Sequence, residues 1–147
     1  MRAVVTRVKS ASVTIDGSVY SSIDDGLLVL LGVHQDDSEA EALKIADKLC
    51  GLRIFEDENG KMNVNPLDAG AKMLIISQFT LFADCKSRRP GFSKAARPDT
   101  AIPLYELVIA KCREKGFEVQ TGVFAADMKV ASVNDGPVTI ILDTKEL

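Results

Sequence analysis

Apolar residues in the first third of the chain recur at strand period. Met1-Arg2-Ala3-Val4-Val5-Thr6-Arg7-Val8 is rich in β-branched residues, which fit a pleated, half-buried surface. Ala11-Ser12-Val13-Thr14-Ile15 alternates apolar and polar, ends at Asp16-Gly17 and resumes at Ser18-Val19-Tyr20, the pattern of a hairpin. After Asp24-Asp25-Gly26, the run Leu27-Leu28-Val29-Leu30-Leu31-Gly32-Val33 does not alternate. It predicts a strand covered on both faces.

The period then lengthens. Ser38 can cap a helix while Glu41 reaches back to the cap amide; Leu43, Ala46, Leu49 and Cys50 follow at helical spacing, and Gly51 supplies a stop. Leu52-Arg53-Ile54-Phe55 and Met62-Asn63-Val64 read as short strands joined by an acidic turn with Asn59-Gly60. The central segment, Ala71 to Ala83, reads as one strand that begins buried and turns polar at its far end. On such a strand Ser77 and Phe79 share one face, and Gln78 and Thr80 the other. A second helix is expected from Asp99 or Thr100 to Lys115, with Pro103 in its first turn. Its buried face is Ile102, Tyr105, Val108, Ile109 and Cys112.

Beyond the strand Phe117 to Gly122, two further strand-like runs, Val130 to Val133 and Val138 to Leu142, flank Asn134-Asp135-Gly136-Pro137. Proline donates nothing to a ladder, so the segment must be a turn, a bulge or an edge. By composition alone it reads as a reverse turn.

With 147 residues the chain suits a single domain, residues 1–147, able to bury its own core. Cys50, Cys85 and Cys112 are odd in number and lack metal-ligand spacing, so they argue for a reducing compartment and against a disulfide framework. No apolar run approaches the roughly 20 residues of a membrane helix, and no signal-peptide pattern opens the chain. We therefore place it in the cytoplasm, with no metal site and no cofactor.

Net charge is −3, yet Lys86, Arg88, Arg89, Lys94 and Arg97 follow the single acid Asp84 within one short stretch. That concentration suits local phosphate binding, or else a solvated loop that guards a strand end. His34, the only histidine, is the base that a serine or cysteine hydrolase would need, but its polar surroundings read as a helix lead-in. Nucleotide-binding glycine loops, HExxH and GxSxG are absent. An enzyme built from this chain must work with backbone groups, hydroxyls and the substrate itself.

Ser77-Gln78-Phe79-Thr80-Leu81 and Asn134-Asp135-Gly136-Pro137-Val138-Thr139, together with the N-terminal Met-Arg-Ala-Val-Val-Thr-Arg-Val, resemble the D-aminoacyl-tRNA deacylase family. The resemblance spans essentially the whole chain. It implies an α+β fold: a mixed, partly barrel-like β-sheet with helices packed outside. It also implies a homodimer with active sites at the subunit interface, into which a cis Gly136-Pro137 peptide of the other subunit projects.

On this resemblance, carbonyls of Gly136 and Pro137 hold the substrate ammonium and leave room for a D side chain or a hydrogen. Arg7 fixes that loop with its planar fork. Ser77, Gln78, Phe79 and Thr80 form the catalytic segment, where amides near Phe79 and Thr80 meet the oxyanion. Thr80 has no base beside it in sequence, which favours a positioning role, with the terminal 2′-hydroxyl of the tRNA assisting water. Arg88, Arg89, Lys94 and Arg97 meet tRNA phosphates. The basic loop alone would also serve a non-catalytic RNA-binding module.

Overall fold

The computed structural model describes residues 1–147. Strand β1 runs unbroken over Arg2–Ile15, so the two N-terminal segments that sequence pattern separates at Lys9-Ser10 are one strand. It makes a hairpin with β2, Ser18–Ile23, and pairs antiparallel with β3, Gly26–Gly32. Helix α1, Glu39–Gly51, follows, then the short pair β4, Phe55–Glu56, and β5, Met62–Val64. Strand β6, Lys72–Ser77, lies parallel to β3, and β7, Val119–Thr121, lies parallel to β6. Between these come a single 3-10 turn at Phe79–Phe82 and helix α2, Pro98–Glu114. The last strand, β8, Lys129–Asp143, runs the length of β1 and forms its other neighbour.

The sheet is mixed and curls toward closure, the Ser21 hydroxyl of β2 donating to the Thr121 carbonyl of β7 at 2.8 Å. Its strands divide two cores. Leu27, Val29 and Leu31 of β3 face a large core with Ala3, Val5, Met73 and Ile75 under both helices. Leu28 instead joins Val8, Val13, Ile23, Leu74 and Ile76 in the small interior of the barrel. The unalternating run in β3 thus has the cause expected for a strand buried on both faces.

Helix α1 starts with the expected capping box, Ser38 and Glu41 bonding reciprocally. Its buried face is Ala42, Ile45, Ala46, Leu49 and Cys50, whereas Leu43 is 44% exposed, contrary to its place in the sequence pattern. Helix α2 begins at Pro98, which takes the N1 position where its missing amide costs nothing. Pro103 therefore sits beyond the first turn, on the exposed side. The Tyr105 hydroxyl donates to the Ile75 carbonyl at 2.7 Å and anchors α2 to β6. Burial pushes its pKa up to about 12.

Two sequence expectations give way at points of interest. The central strand ends at Ser77, and Phe79 and Thr80 stand in the 3-10 turn instead of alternating across a sheet. Gly32 makes this possible: a Cβ there would meet the Gln78 carbonyl and the Leu81 Cβ at 3.0 Å each. In addition, Asn134 to Pro137 does not reverse the chain. Thr6 pairs with Thr139 and Val8 with Asn134, leaving Asp135 to Val138 looped out opposite Arg7 alone. It is a wide bulge within β8, and its Gly136-Pro137 peptide is cis.

Candidate active site

A cleft of about 590 Å³ opens where β6 gives way to the 3-10 turn. Ser77, Gln78 and Phe79 form one side, and Ala95, Ala96 and Ala101 form another. The third is the segment from Phe124 to Met128 that connects β7 with β8, and Val130 of β8 completes it. Its lining is mainly apolar, and Asp127 is the one titratable side chain in it. Asp127 is ion-paired with Lys129 at 3.1 Å.

The amide of Gln78 donates to the Leu31 carbonyl at 2.8 Å, continuing the sheet one residue past β6. The next two amides, of Phe79 and Thr80, have no acceptor within the chain, because a tight turn leaves its first donors unpaired. Two adjacent donors beside an apolar cleft can receive a carbonyl oxygen as it gains negative charge. The Gln78 side-chain amide donates to the Thr80 hydroxyl at 2.5 Å, fixing one against the other. No base lies within this contact.

His34 is elsewhere. Its ring packs edge-on against Phe82 at 5.2 Å, its Nδ1 accepts from the Asp36 amide, and it lines a separate cavity of about 220 Å³ with Arg2 and Lys94. A hydrolase mechanism through His34 has no support in this geometry.

The basic loop between the 3-10 turn and α2 is held by paired backbone bonds between Asp84 and Gly91 and by a bridge from His34 to Ala95. Arg88, Arg89, Lys94 and Arg97 are all exposed, and none takes part in an ion pair. Phe92, within the same loop, meets Phe79 edge-to-face at 5.2 Å on the rim of the cleft. Sequence reasoning missed Phe92 and the wall from Phe124 to Met128. For Phe92 the available signal was an aromatic among basic residues; Ala125, with φ at 64°, had none.

Gly136 and Pro137 do not reach the cleft of their own chain. They project from the β8 bulge against Arg7, which is buried although charged. Arg7 Nε donates to the Asp135 carbonyl at 3.2 Å, and its Nη1 donates to the Ile54 carbonyl at 2.7 Å. The Asp135 carboxylate lies 3.3 Å from Nε. The fork thus grips the residue before Gly136, and not Gly136 or Pro137 themselves. Gly136 has φ at 121°, a conformation suited to glycine.

The family model for D-Tyr-tRNA(Tyr) deacylase matches residues 4–143. The chain belongs to this family. A D-aminoacyl-tRNA deacylase of Koribacter versatilis is 56% identical over 147 residues, 99% of each chain. One of Thermus aquaticus is 54% identical over 147 residues, 99% of this chain and 97% of its own. Among solved structures, a c-Myc DNA unwinding element binding protein superposes with a TM-score of 0.92 at 38% identity, covering 97% of this chain and 98% of its own. A structure described as a probable eukaryotic D-amino acid tRNA deacylase gives a TM-score of 0.80 over 96% of this chain and 97% of its own, at 16% identity, a likeness of fold. The α+β architecture with its partly closed sheet is therefore that of the deacylase family.

Proposed function

We infer that this chain is an ester hydrolase that cleaves D-aminoacyl-tRNA to free amino acid and tRNA. Family membership over residues 4–143 carries the reading, and the two unpaired amides of Phe79 and Thr80 at the cleft support it chemically. They stabilise the oxyanion formed as water attacks the ester carbonyl. Thr80 positions, held by Gln78, and the ribose 2′-hydroxyl assists the water. Arg88, Arg89, Lys94 and Arg97 bind tRNA phosphates in the cytoplasm, with little readout of sequence.

The working unit is a homodimer in which one subunit's Gly136 and Pro137 close the other's cleft. Supporting this, both residues are exposed and lie outside their own cleft. Strand β8 also carries exposed Val133 and Ile141, the latter 68% accessible, and exposed Val130, which lines the cleft. A long apolar edge strand of this kind calls for a partner. A wall of backbone carbonyls would hold the substrate ammonium and exclude an L side chain whatever its identity, while passing glycine. Mischarged glycyl-tRNA is then a second substrate.

Hydrolysis of D-tyrosyl-tRNA and L-tyrosyl-tRNA, measured side by side, tests the activity. Rapid loss of the D ester alone is expected; equal rates, or an inert D ester, would sink it. Binding of uncharged tRNA with no hydrolysis would leave the RNA-binding module instead. For the shared site, a Gly136 variant and a cleft variant, each inactive, are mixed and allowed to exchange subunits. Recovery of activity supports the composite site, and none would refute it.

A further inference from the structure

We propose that Cys50 and Cys112 are an oxidisable thiol pair, which a hydroperoxide converts into an intrachain disulfide joining α1 to α2. The two sulfurs lie 3.7 Å apart across the helix interface, although the residues are 62 positions apart in sequence. A disulfide needs about 2.05 Å, so the sulfurs must approach by roughly 1.7 Å, within the reach of small side-chain rotations.

The pair is asymmetric in a way that suits attack and resolution. Cys112 is completely buried. Cys50 is itself only 8% exposed, but it lines a surface cavity with Asp47, Gly51, Arg53 and Lys115, the side from which a small peroxide would approach it. Its contact with Cys112 holds the Cys50 thiol below its ordinary value, with burial and the Asp47 carboxylate opposing this and the nearby Lys115 ammonium assisting it. The contact with Cys50 and burial both hold the Cys112 thiol well above its own. Cys50, the one of the two that borders the cavity, is thus the sulfur that attacks, and Cys112 the one that resolves.

The steps balance. Cys50 thiolate attacks a peroxide oxygen; an S–O bond forms, the O–O bond breaks, and an alcohol or water leaves with a proton. Cys112 sulfur then attacks the sulfenic sulfur, S–S forms as S–O breaks, and water departs with the Cys112 proton. Two electrons pass from the thiols to the peroxide. Cys85 is exposed and lies outside this interface, and it serves as the comparison. Because α2 carries Pro98 and Ala101 into the cleft wall, the crosslink ties that wall to α1.

The test uses the full chain with Cys85→Ser, treated with hydrogen peroxide. The intact mass is expected to fall by about 2 Da, with both remaining thiols closed to alkylation until reduced. The thermal midpoint should rise by roughly 5 °C. Adding Cys112→Ala should instead leave a dimedone-reactive sulfenic acid on Cys50, whereas Cys50→Ala should leave Cys112 unmodified. A gain of about 32 or 48 Da on Cys50 with Cys112 still free would overturn the proposal. So would two thiols that stay reduced, or a crosslink between chains. The Cys85→Ser result decides even if either interface variant fails to fold.

Discussion

A Cβ added to Gly136 would lie 3.1 Å from a guanidinium nitrogen of Arg7, a residue that is itself only 5% exposed. The same Cβ would meet Val138 Cγ2 at 2.8 Å and the Val138 amide nitrogen at 3.0 Å. The β8 bulge is thus clamped on one side by a buried cation and on the other by its own backbone. What it presents outward is set from within the fold.

Gly136→Ala is expected to destabilise the protein by about 1–3 kcal/mol, since the left-handed backbone and the three close contacts all oppose a side chain. Under the gate reading, it should also lower the ratio of D-tyrosyl to L-tyrosyl hydrolysis. Thermal unfolding and the paired deacylation assay separate the effects: lost stability with an unchanged ratio would make the bulge purely structural.

Arg7→Ala should cost about 2–4 kcal/mol, because the carbonyls of Ile54 and Asp135 both lose a donor in a largely buried setting. Arg7→Lys should recover only part of this, as an ammonium cannot span both carbonyls as the fork does. Urea midpoints of the three proteins measure it. Full recovery with lysine would show that charge alone matters.

Thr80→Ala should reduce kcat by about tenfold to a hundredfold, and Thr80→Ser should restore most of the loss, as befits a hydroxyl that positions. A nucleophile's removal would cost about 10⁴ or more, and a covalent ester would accumulate in a burst. Single-turnover kinetics distinguish the two. A tRNA ending in 2′-deoxyadenosine should be hydrolysed slowly by the parent protein.

Replacing Arg88, Arg89, Lys94 and Arg97 singly by Ala should weaken tRNA binding similarly across tRNA sequences. For every phosphate left without its cation, the slope of log affinity against log salt should fall by about 0.7–0.9. Filter binding across a salt series reads this directly. Unchanged slopes in all four variants would return the loop to a merely solubilising role.

Arg2 and Asp143 join the start of β1 to the end of β8 at 2.9 Å. Burial acts to raise the Asp143 pKa but is outweighed by the Lys145 amide and Arg2, which hold it below the ordinary 3.8. Its contribution is therefore fully present above about pH 4 and is lost as pH falls through the depressed folded value. Asp143→Asn should be less stable than the parent at neutral pH, by about 1 kcal/mol or less for a pair of this exposure. That gap should close below pH 3.8, as urea titrations at several pH values would show.

Local pattern determined much of this protein. Apolar patterning named β3, found β1 in two pieces and ran β6 on past Ser77; the Ser38–Glu41 box marked the start of α1, and the spacing in α2 picked out Tyr105, Val108, Ile109 and Cys112. The paired motifs around Ser77 and Gly136 were enough to place the family. These signals are legible because capping, side-chain alternation and turn chemistry act over a few residues.

Tertiary structure decided what those signals could not. A Gly-Pro pair reverses a strand or merely interrupts it according to whether a neighbour goes on offering hydrogen bonds, and β1 does so on both sides of Arg7. Phe79 and Thr80 left the strand because Gly32, more than forty residues earlier, lets a tight turn settle against β3. The apolar wall from Phe124 to Met128, the burial of Arg7 and the approach of Cys50 to Cys112 likewise come from segments distant in sequence. Each depends on packing across the fold, whose partners no local period can name.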